Sequence, residues 1–527
     1  MEIPAPENNP VVVPGLHPEV LLEAPHRSRC YKLLHWEYLP LSAIVIVTLI
    51  LHILCLNYPR SIVWDEVWYV SDARSIIRGA GDMRPEHPAL AKLFIVAGTL
   101  MFNNYTNPEI DKGVILTESI DDETTVLKVN DASLLSGVEY IRIENEQLKI
   151  ESVDITINQV KTASDGRHHG TAYASHQAGQ TVYIYTDNEN AFGWRFFSVI
   201  FGTINIVLIY FICKKLQLSW KASVAATFLM ALDDMTFVHS SLALLDIYEV
   251  TFLLAGFLLY LHSKYLSTGV AFALSACCKL AGVLGLVAVA MHWLIFRRDK
   301  WQWAFGSLVF AAVGFVFFTI LFDYFITGEL IDPVTRIKDM LTLTVINKFN
   351  IENPLGIASR PWTWLYPYVE PYTNAIVYSY DPKYFPQGFL LYTSFISWTI
   401  QFLIVPVVIY LIFKAWRGSN TARFTLLWIF STYVFWMTDA FTNRVTFVFY
   451  FLPTTPAICI GLGMAFSDIM DRLKARRFRL GRVTPGMKAS YAGIIFYFVL
   501  HAVIFFMFNP AIPTTVRMWV SYVFKFP

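Results

Sequence analysis

Charge is what this chain has little of. Of 527 residues only 15% are Asp, Glu, Lys or Arg, against 55% hydrophobic and 16% aromatic. A soluble protein of this length needs a larger charged surface, so the shortage excludes one. The net charge of +1 gives no case for nucleic acid as a partner. Cysteine is scarce too. The six, Cys30, Cys55, Cys213, Cys277, Cys278 and Cys459, lie mostly in or beside apolar runs and lack metal-ligand spacing, which argues against both a disulfide framework and a metal cluster. Residues 1–37 are polar and proline-rich and do not read as a cleavable signal peptide.

What the sequence does have is apolar runs of the ~20 residues that cross ~30 Å of hydrocarbon. They fall at 38–57, 193–213, 221–240, 244–262, 267–280, 281–296, 302–326, 388–414, 422–440, 444–466 and 489–508. Between them lie the basic clusters Arg27/Arg29/Lys32, Lys214/Lys215, Lys264, Arg297/Arg298/Lys300, Lys414/Arg417/Arg423 and the run from Arg472 to Arg482. An N-terminus in the cytoplasm puts every cluster inside. The thirty residues 267–296 are short for two spans and long for one; a hairpin of two short helices keeps the later clusters inside. The fold class expected is therefore an α-helical polytopic membrane protein of about eleven spans, N-in and C-out.

Two long segments then face outside. Residues 65–101 have helical spacing around Asp65, Glu66 and His87. Residues 107–187 change character, with period-two alternation at Thr124–Val129, Glu139–Ile143, Leu148–Val153 and Thr181–Tyr185, the pattern of a small β domain. Residues 327–387, rich in Pro, Trp and Tyr, suit an interfacial lid or binding surface. The organisation reads as a cytoplasmic tail 1–37, a first span with external amphipathic helices 38–106, the β insertion 107–187, core spans 188–326, an external loop 327–387 and C-terminal spans 388–527.

Ionisable groups in hydrocarbon cost roughly 2.5–3.5 kcal/mol each, so a cluster of them implies a polar cavity. Here they lean to the outer side: Asp65, Glu66, Arg195, Asp233, Asp234, His239, Asp246, Lys279, Asp323, Asp439 and Arg444. Asp65-Glu66 suits proton abstraction from a hydroxyl, although adjacent acids at a helix start also simply favour the helix dipole. His87-Pro88 with Lys92 places a cation where a phosphate could sit, or is only a capped interfacial helix. Arg195 and Arg444 are each a phosphate fork or a membrane-border anchor. Arg360, in Arg360-Pro361-Trp362-Thr363-Trp364, lies in an aromatic external patch. His168, His169 and His176 lack acidic partners at ligand spacing.

In order and spacing these segments resemble the protein O-mannosyltransferase family of GT-C membrane glycosyltransferases. The resemblance is carried by Trp64-Asp65-Glu66, His87-Pro88-Ala89-Leu90-Ala91-Lys92-Leu93, Gly193-Trp194-Arg195-Phe196-Phe197-Ser198, Val238 to Asp246, Arg360 to Trp364, and Arg444 to Pro453. It covers 60–102 and 190–300, and 355–466 more loosely. Ala89 stands where the family has a second proline. The lumenal trefoil domain of eukaryotic members has no room in 327–387, and a β insertion fills the first external loop. These departures point to a prokaryotic, archaeal-type member.

The resemblance implies transfer of mannose from a dolichyl or polyprenyl phosphate to a protein Ser/Thr hydroxyl. The implied partners are the lipid-phosphate sugar, an acceptor protein and membrane lipid. Asp65 would be base, Glu66 its neighbouring partner, and Arg195, Lys92 and Arg444 phosphate ligands, with His87, His239, Asp246, Asp233 and Arg360 nearby; no metal is required. A GT-C enzyme moving another sugar to lipid or glycan, a transporter, and a surface-binding protein remain open.

Overall fold

The computed structural model describes residues 38–56, 62–102, 111–138, 140–144, 146–162, 174–185, 191–298, 301–345, 358–365, 376–379 and 390–509. Residues 1–37, His168, His169 and about half of 327–387 fall outside these. A long apolar helix, α1 (Leu39–Leu56), is followed by α2 (Glu66–Ile77) and α3 (Leu90–Phe102). Then come five short strands, β1 (Val126–Lys128), β2 (Tyr140–Ile143), β3 (Glu146–Asp154), β4 (Gln159–Thr162) and β5 (Val182–Tyr185). The central helices are α4 (Ala191–Lys215), α5 (Trp220–Ala231), α6 (Asp234–Ser241), α7 (Asp246–Leu261), α8 (Tyr265–Cys278), α9 (Val283–Phe296) and α10 (Trp301–Thr327). The chain continues through α11 (Pro333–Val345), the hairpin β6 (Ile376–Ser379) and β7 (Leu390–Ser394), α12 (Trp398–Gln401), α13 (Ile404–Trp416), α14 (Asn420–Tyr433), α15 (Asp439–Thr442), α16 (Thr455–Leu480) and α17 (Pro485–Phe508).

This is a multi-pass membrane protein. Among the described residues four helices are long and apolar enough to cross a bilayer, namely α1, α4, α17 and Ala304–Thr327 of α10. Helix α4 has 56% of its apolar window buried, against 17% in α10 and α17, so α4 is central and the others are peripheral. Outward apolar residues such as Ile46, Phe305, Phe317 and Phe496 are what a hydrocarbon solvent favours.

Four expected spans are not continuous α-helices; one of them, 422–440, is α-helical to Tyr433 and then 3-10 over Val434–Thr438. The run 221–240 divides into α5 and α6 because Asp233 caps α6, its carboxylate accepting from the Thr236 N–H at 3.0 Å. Helices α6 and α7 meet at 111°, a bend that brings Asp246 to a helix start inside the protein. The run 388–414 opens as β7 and becomes helical only at Trp398. The run 444–466 stays extended and then 3-10 up to Phe451. Helix α16 instead extends to Leu480, so most of the Arg472–Arg482 cluster lies on a helix.

The β insertion is a five-stranded antiparallel sheet of order β1-β4-β3-β2-β5. Its inward residues, Leu127, Ile141, Leu148, Val160 and Val182, form a core of their own, separate from the helical core. A polar tie joins it to the helices, Arg74 Nη1 of α2 donating to Gln147 Oε1 at 3.2 Å.

Close helix approach sets the site's floor. A Cβ on Gly98 of α3 would lie 2.3 Å from the Gly193 carbonyl of α4. Backbone cannot yield there, so Gly98→Ala is expected to push α3 off the Trp194-Arg195 turn and destabilise the protein by about 1–3 kcal/mol, an overpacking cost. A thermal-shift measurement in detergent checks this; an unchanged Tm would mean the helices are not so closely apposed.

Candidate active site

The sequence at 62–66 makes a tight turn that carries two adjacent carboxylates. Trp64 adopts φ +47°, a left-handed backbone that a bulky side chain enters only under strain of about 1–3 kcal/mol. Its ring is held edge-on against Phe449 at 5.3 Å. Asp65 then forms the N-cap of α2, and Glu66 points into the protein.

Glu66 and Arg195 are both fully buried. Arg195 donates from Nε to Glu66 Oε1 at 2.7 Å and from Nη2 to Oε2 at 2.6 Å. Glu66 also accepts the N–H of Val63 and of Ala243, each at 2.9 Å. A carboxylate satisfied four times, paired bidentately, is a structural node joining α2, α4 and the α6–α7 turn. This corrects two expectations. Glu66 is the partner of Arg195 rather than of Asp65, and the Arg195 guanidinium is engaged by a carboxylate rather than presented to a phosphate.

Lys92 is corrected for the same reason. Completely buried, its ammonium lies 2.9 Å from Asp72 and 2.6 Å from Asp82 and donates to the Arg84 carbonyl at 2.6 Å. Here its ammonium is engaged by two carboxylates rather than presented to a phosphate, and it braces the loop 82–87. Asp233 is accounted for as a cap that also accepts the Ser397 N–H at 3.0 Å.

The residues that do converge are Asp65, Asp246, Lys279 and His239. Lys279 sits at the break between α8 and α9 and donates to Asp246 Oδ1. His239 lies 3.9 Å from the other Asp246 oxygen, and neither of its ring nitrogens has a hydrogen-bond partner among the described residues. The Lys279 ammonium lies 5.0 and 4.9 Å from the rings of Phe449 and Tyr450, within cation–π range. Asp65 is close enough to Asp246 and Lys279 to feel both charges. Burial, then the Asp246 carboxylate, raise its pKa to about 7, against the opposing pull of Lys279 and Arg84. A carboxylate so placed is poised to exchange protons near neutrality.

The rim carries the partly exposed cations. Arg84 stacks on Trp68 at 3.6 Å. Arg444 follows Asn443, another left-handed residue (φ +52°), and lies 5.8 Å over Trp436. His87, edge-on to Tyr69 at 5.7 Å, is kept neutral by burial and by the surrounding Lys92, Lys279, Arg84 and Arg444. Arg360 donates to Asn443 Oδ1 at 2.7 Å. The Ser359 N–H donates to the Thr446 carbonyl at 2.9 Å, so the Arg360–Trp364 segment docks beside Arg444.

Sequence reasoning noted Lys279 and, within the Arg444–Pro453 segment, Tyr450 without giving either a role, and passed over Arg84 and Tyr69. Lys279 carried a signal, as the one charge in the apolar stretch 267–296. Arg84 and the tyrosines carried none, because border aromatics and arginines are common anchors.

Residues 173–328 match the family model described as dolichyl-phosphate-mannose-protein mannosyltransferase. The fold is similar to that of the S. cerevisiae protein O-mannosyltransferase Pmt1-Pmt2 complex bound to the sugar donor. The TM-score is 0.60 at 11% identity, over 92% of this chain and 92% of that one. It is also similar to the oligosaccharyltransferase AglB from Archaeoglobus fulgidus in complex with an inhibitory peptide and a dolichol-phosphate. There the TM-score is 0.52 at 10% identity, and the alignment spans 91% of this chain but 56% of that one. No curated protein matches the chain.

Proposed function

We propose that this chain, which belongs to the dolichyl-phosphate-mannose-protein mannosyltransferase family through residues 173–328, transfers mannose from a polyprenyl phosphate to Ser or Thr hydroxyls of proteins on the non-cytoplasmic side of the membrane. The observation that carries the reading is the convergence of a proton-accepting Asp65 with the Asp246–Lys279 pair beneath a rim of cations. Asp65 takes the hydroxyl proton as the oxygen forms its bond to the sugar's anomeric carbon. The bond from that carbon to phosphate breaks, and the leaving polyprenyl phosphate keeps the electron pair. Arg84 and Arg444, with neutral His87, are placed to hold that phosphate, while Lys279 fixes Asp246 and supplies positive charge at the floor. Arg195 and Glu66 hold the turn that presents Asp65.

The test is incubation of purified protein in lipid with labelled dolichyl-phosphate mannose and a Ser/Thr-rich acceptor protein. Label is expected in the acceptor, releasable by β-elimination. Label confined to lipid or glycan would overturn the protein-acceptor reading, and no transfer from this donor would overturn the mannosyl one.

A further inference from the structure

A loop made of residues 82–87 carries Arg84 and His87 to the rim, and two buried cations from different helices grip it. Lys92 holds it from α3, through Asp82 and the Arg84 carbonyl. The second grip comes from far along the chain. Arg336, on the external helix α11 and 6% exposed, donates to the carbonyls of Pro85 and, at 3.4 Å, His87. The same guanidinium is aligned by Asp323 at the end of α10, Nε to Oδ2 at 2.8 Å, and lies 3.9 Å from Asp82. The start of α11 is itself fixed, Asp332 accepting from the Thr335 N–H at 2.8 Å.

We infer that Arg336 is a positioning residue of the transfer site, setting the loop that aims Arg84 and His87. The inference rests on the proposed function for what the loop binds. The geometry explains the residue type. Five donors in a planar fork reach a carboxylate and two carbonyls together, which a point-charge ammonium does not. Bound to carbonyls in this way, the fork fixes backbone, so its effect falls on whatever the loop presents.

Two measurements separate this role from a merely structural one. Hydrogen exchange of the full-length protein reads the loop itself, independently of any activity. In Arg336→Ala, amides of 82–88 are expected to exchange roughly tenfold faster or more, as local opening becomes easier, while α2 and α3 keep their protection. The KM for dolichyl-phosphate mannose is expected to rise roughly tenfold with a smaller fall in kcat, because misplaced phosphate ligands weaken donor binding first. Arg336→Lys should recover part of both effects, and Lys338→Ala, an exposed neighbour, neither. The double variant Arg336→Asp/Asp323→Arg remakes the ion pair without the carbonyl contacts and should remain impaired. Unchanged exchange at 82–88, an unchanged donor KM with a faster loop, or a charge swap restoring the native KM would each overturn the inference. A wild-type protein that transfers no mannose while Arg336→Ala still loosens the loop would instead fault the proposed function.

Discussion

Asp65→Asn is expected to lower turnover by about 10²–10⁴-fold, the range of a positioned general base, while donor binding stays close to native. The amide keeps the shape and loses the proton acceptor, so the loss belongs to kcat rather than KM. The same substitution should make the protein more stable at pH 8. Burial raises Asp65 to about 7, so the folded chain holds this proton more tightly than the unfolded chain does. The stability that proton brings is complete below roughly pH 4 and fades as pH climbs towards 7, leaving a charged buried carboxylate above that. Removing the charge therefore raises Tm at pH 8, and the gain shrinks towards pH 5. Wild-type turnover should fall as pH drops below about 7, as the base becomes protonated. Initial rates against donor concentration and pH, with Tm across the same pH range, check all three. Native rates in Asp65→Asn would remove the base and move attention to Asp246.

Arg195→Ala should fail differently, by losing the fold. Deleting one member of a buried bidentate pair leaves the other charge uncompensated, at a cost of about 3–5 kcal/mol. Glu66 would remain buried with only the Val63 and Ala243 amides. Arg195→Lys should rescue only in part, because one ammonium cannot fill two fork positions. The double change Arg195→Met/Glu66→Leu, which removes both charges, should recover more stability than either single truncation. Monodispersity and Tm in detergent measure this. Folded, native-like Arg195→Ala with only a weakened donor affinity would return the guanidinium to the phosphate site.

The helical class, the position of most apolar segments and the β insertion were legible because each leaves a periodic trace. Inward residues such as Leu127, Ile141 and Leu148 alternate as a half-buried sheet requires. β4 was missed, since Gln159-Val160-Lys161-Thr162 offers one apolar residue in a four-residue strand. The breaks at Asp233 and Phe451 were missed because capping and 3-10 geometry are settled by partners distant in sequence, such as Ser397 for Asp233. The site was legible in its residue types but not in its pairings. The sequence put Asp65, Glu66, Lys92 and Arg195 at one border, yet which carboxylate meets which cation depends on side-chain direction across three helices. The buried pairs, chemically identical to a ligand site on paper, turn out to be joinery.

The path of the chain around the β insertion has a consequence for how such a protein could change. The helical core releases the chain at Phe102 and takes it back at Phe192, and these two rings touch, 5.0 Å between centroids. Phe196, one turn on, lies 4.5 Å from Phe102 as well. A segment whose two ends are already side by side closes a loop of any length for little extra entropy, about 0.6 kcal/mol for each doubling. The first loop is thus a socket, into which a whole module can be fitted, exchanged or removed without asking the membrane helices to rearrange. Arg74 is a residue that would register such an exchange, since its hold on Gln147 is a point where cargo meets chassis.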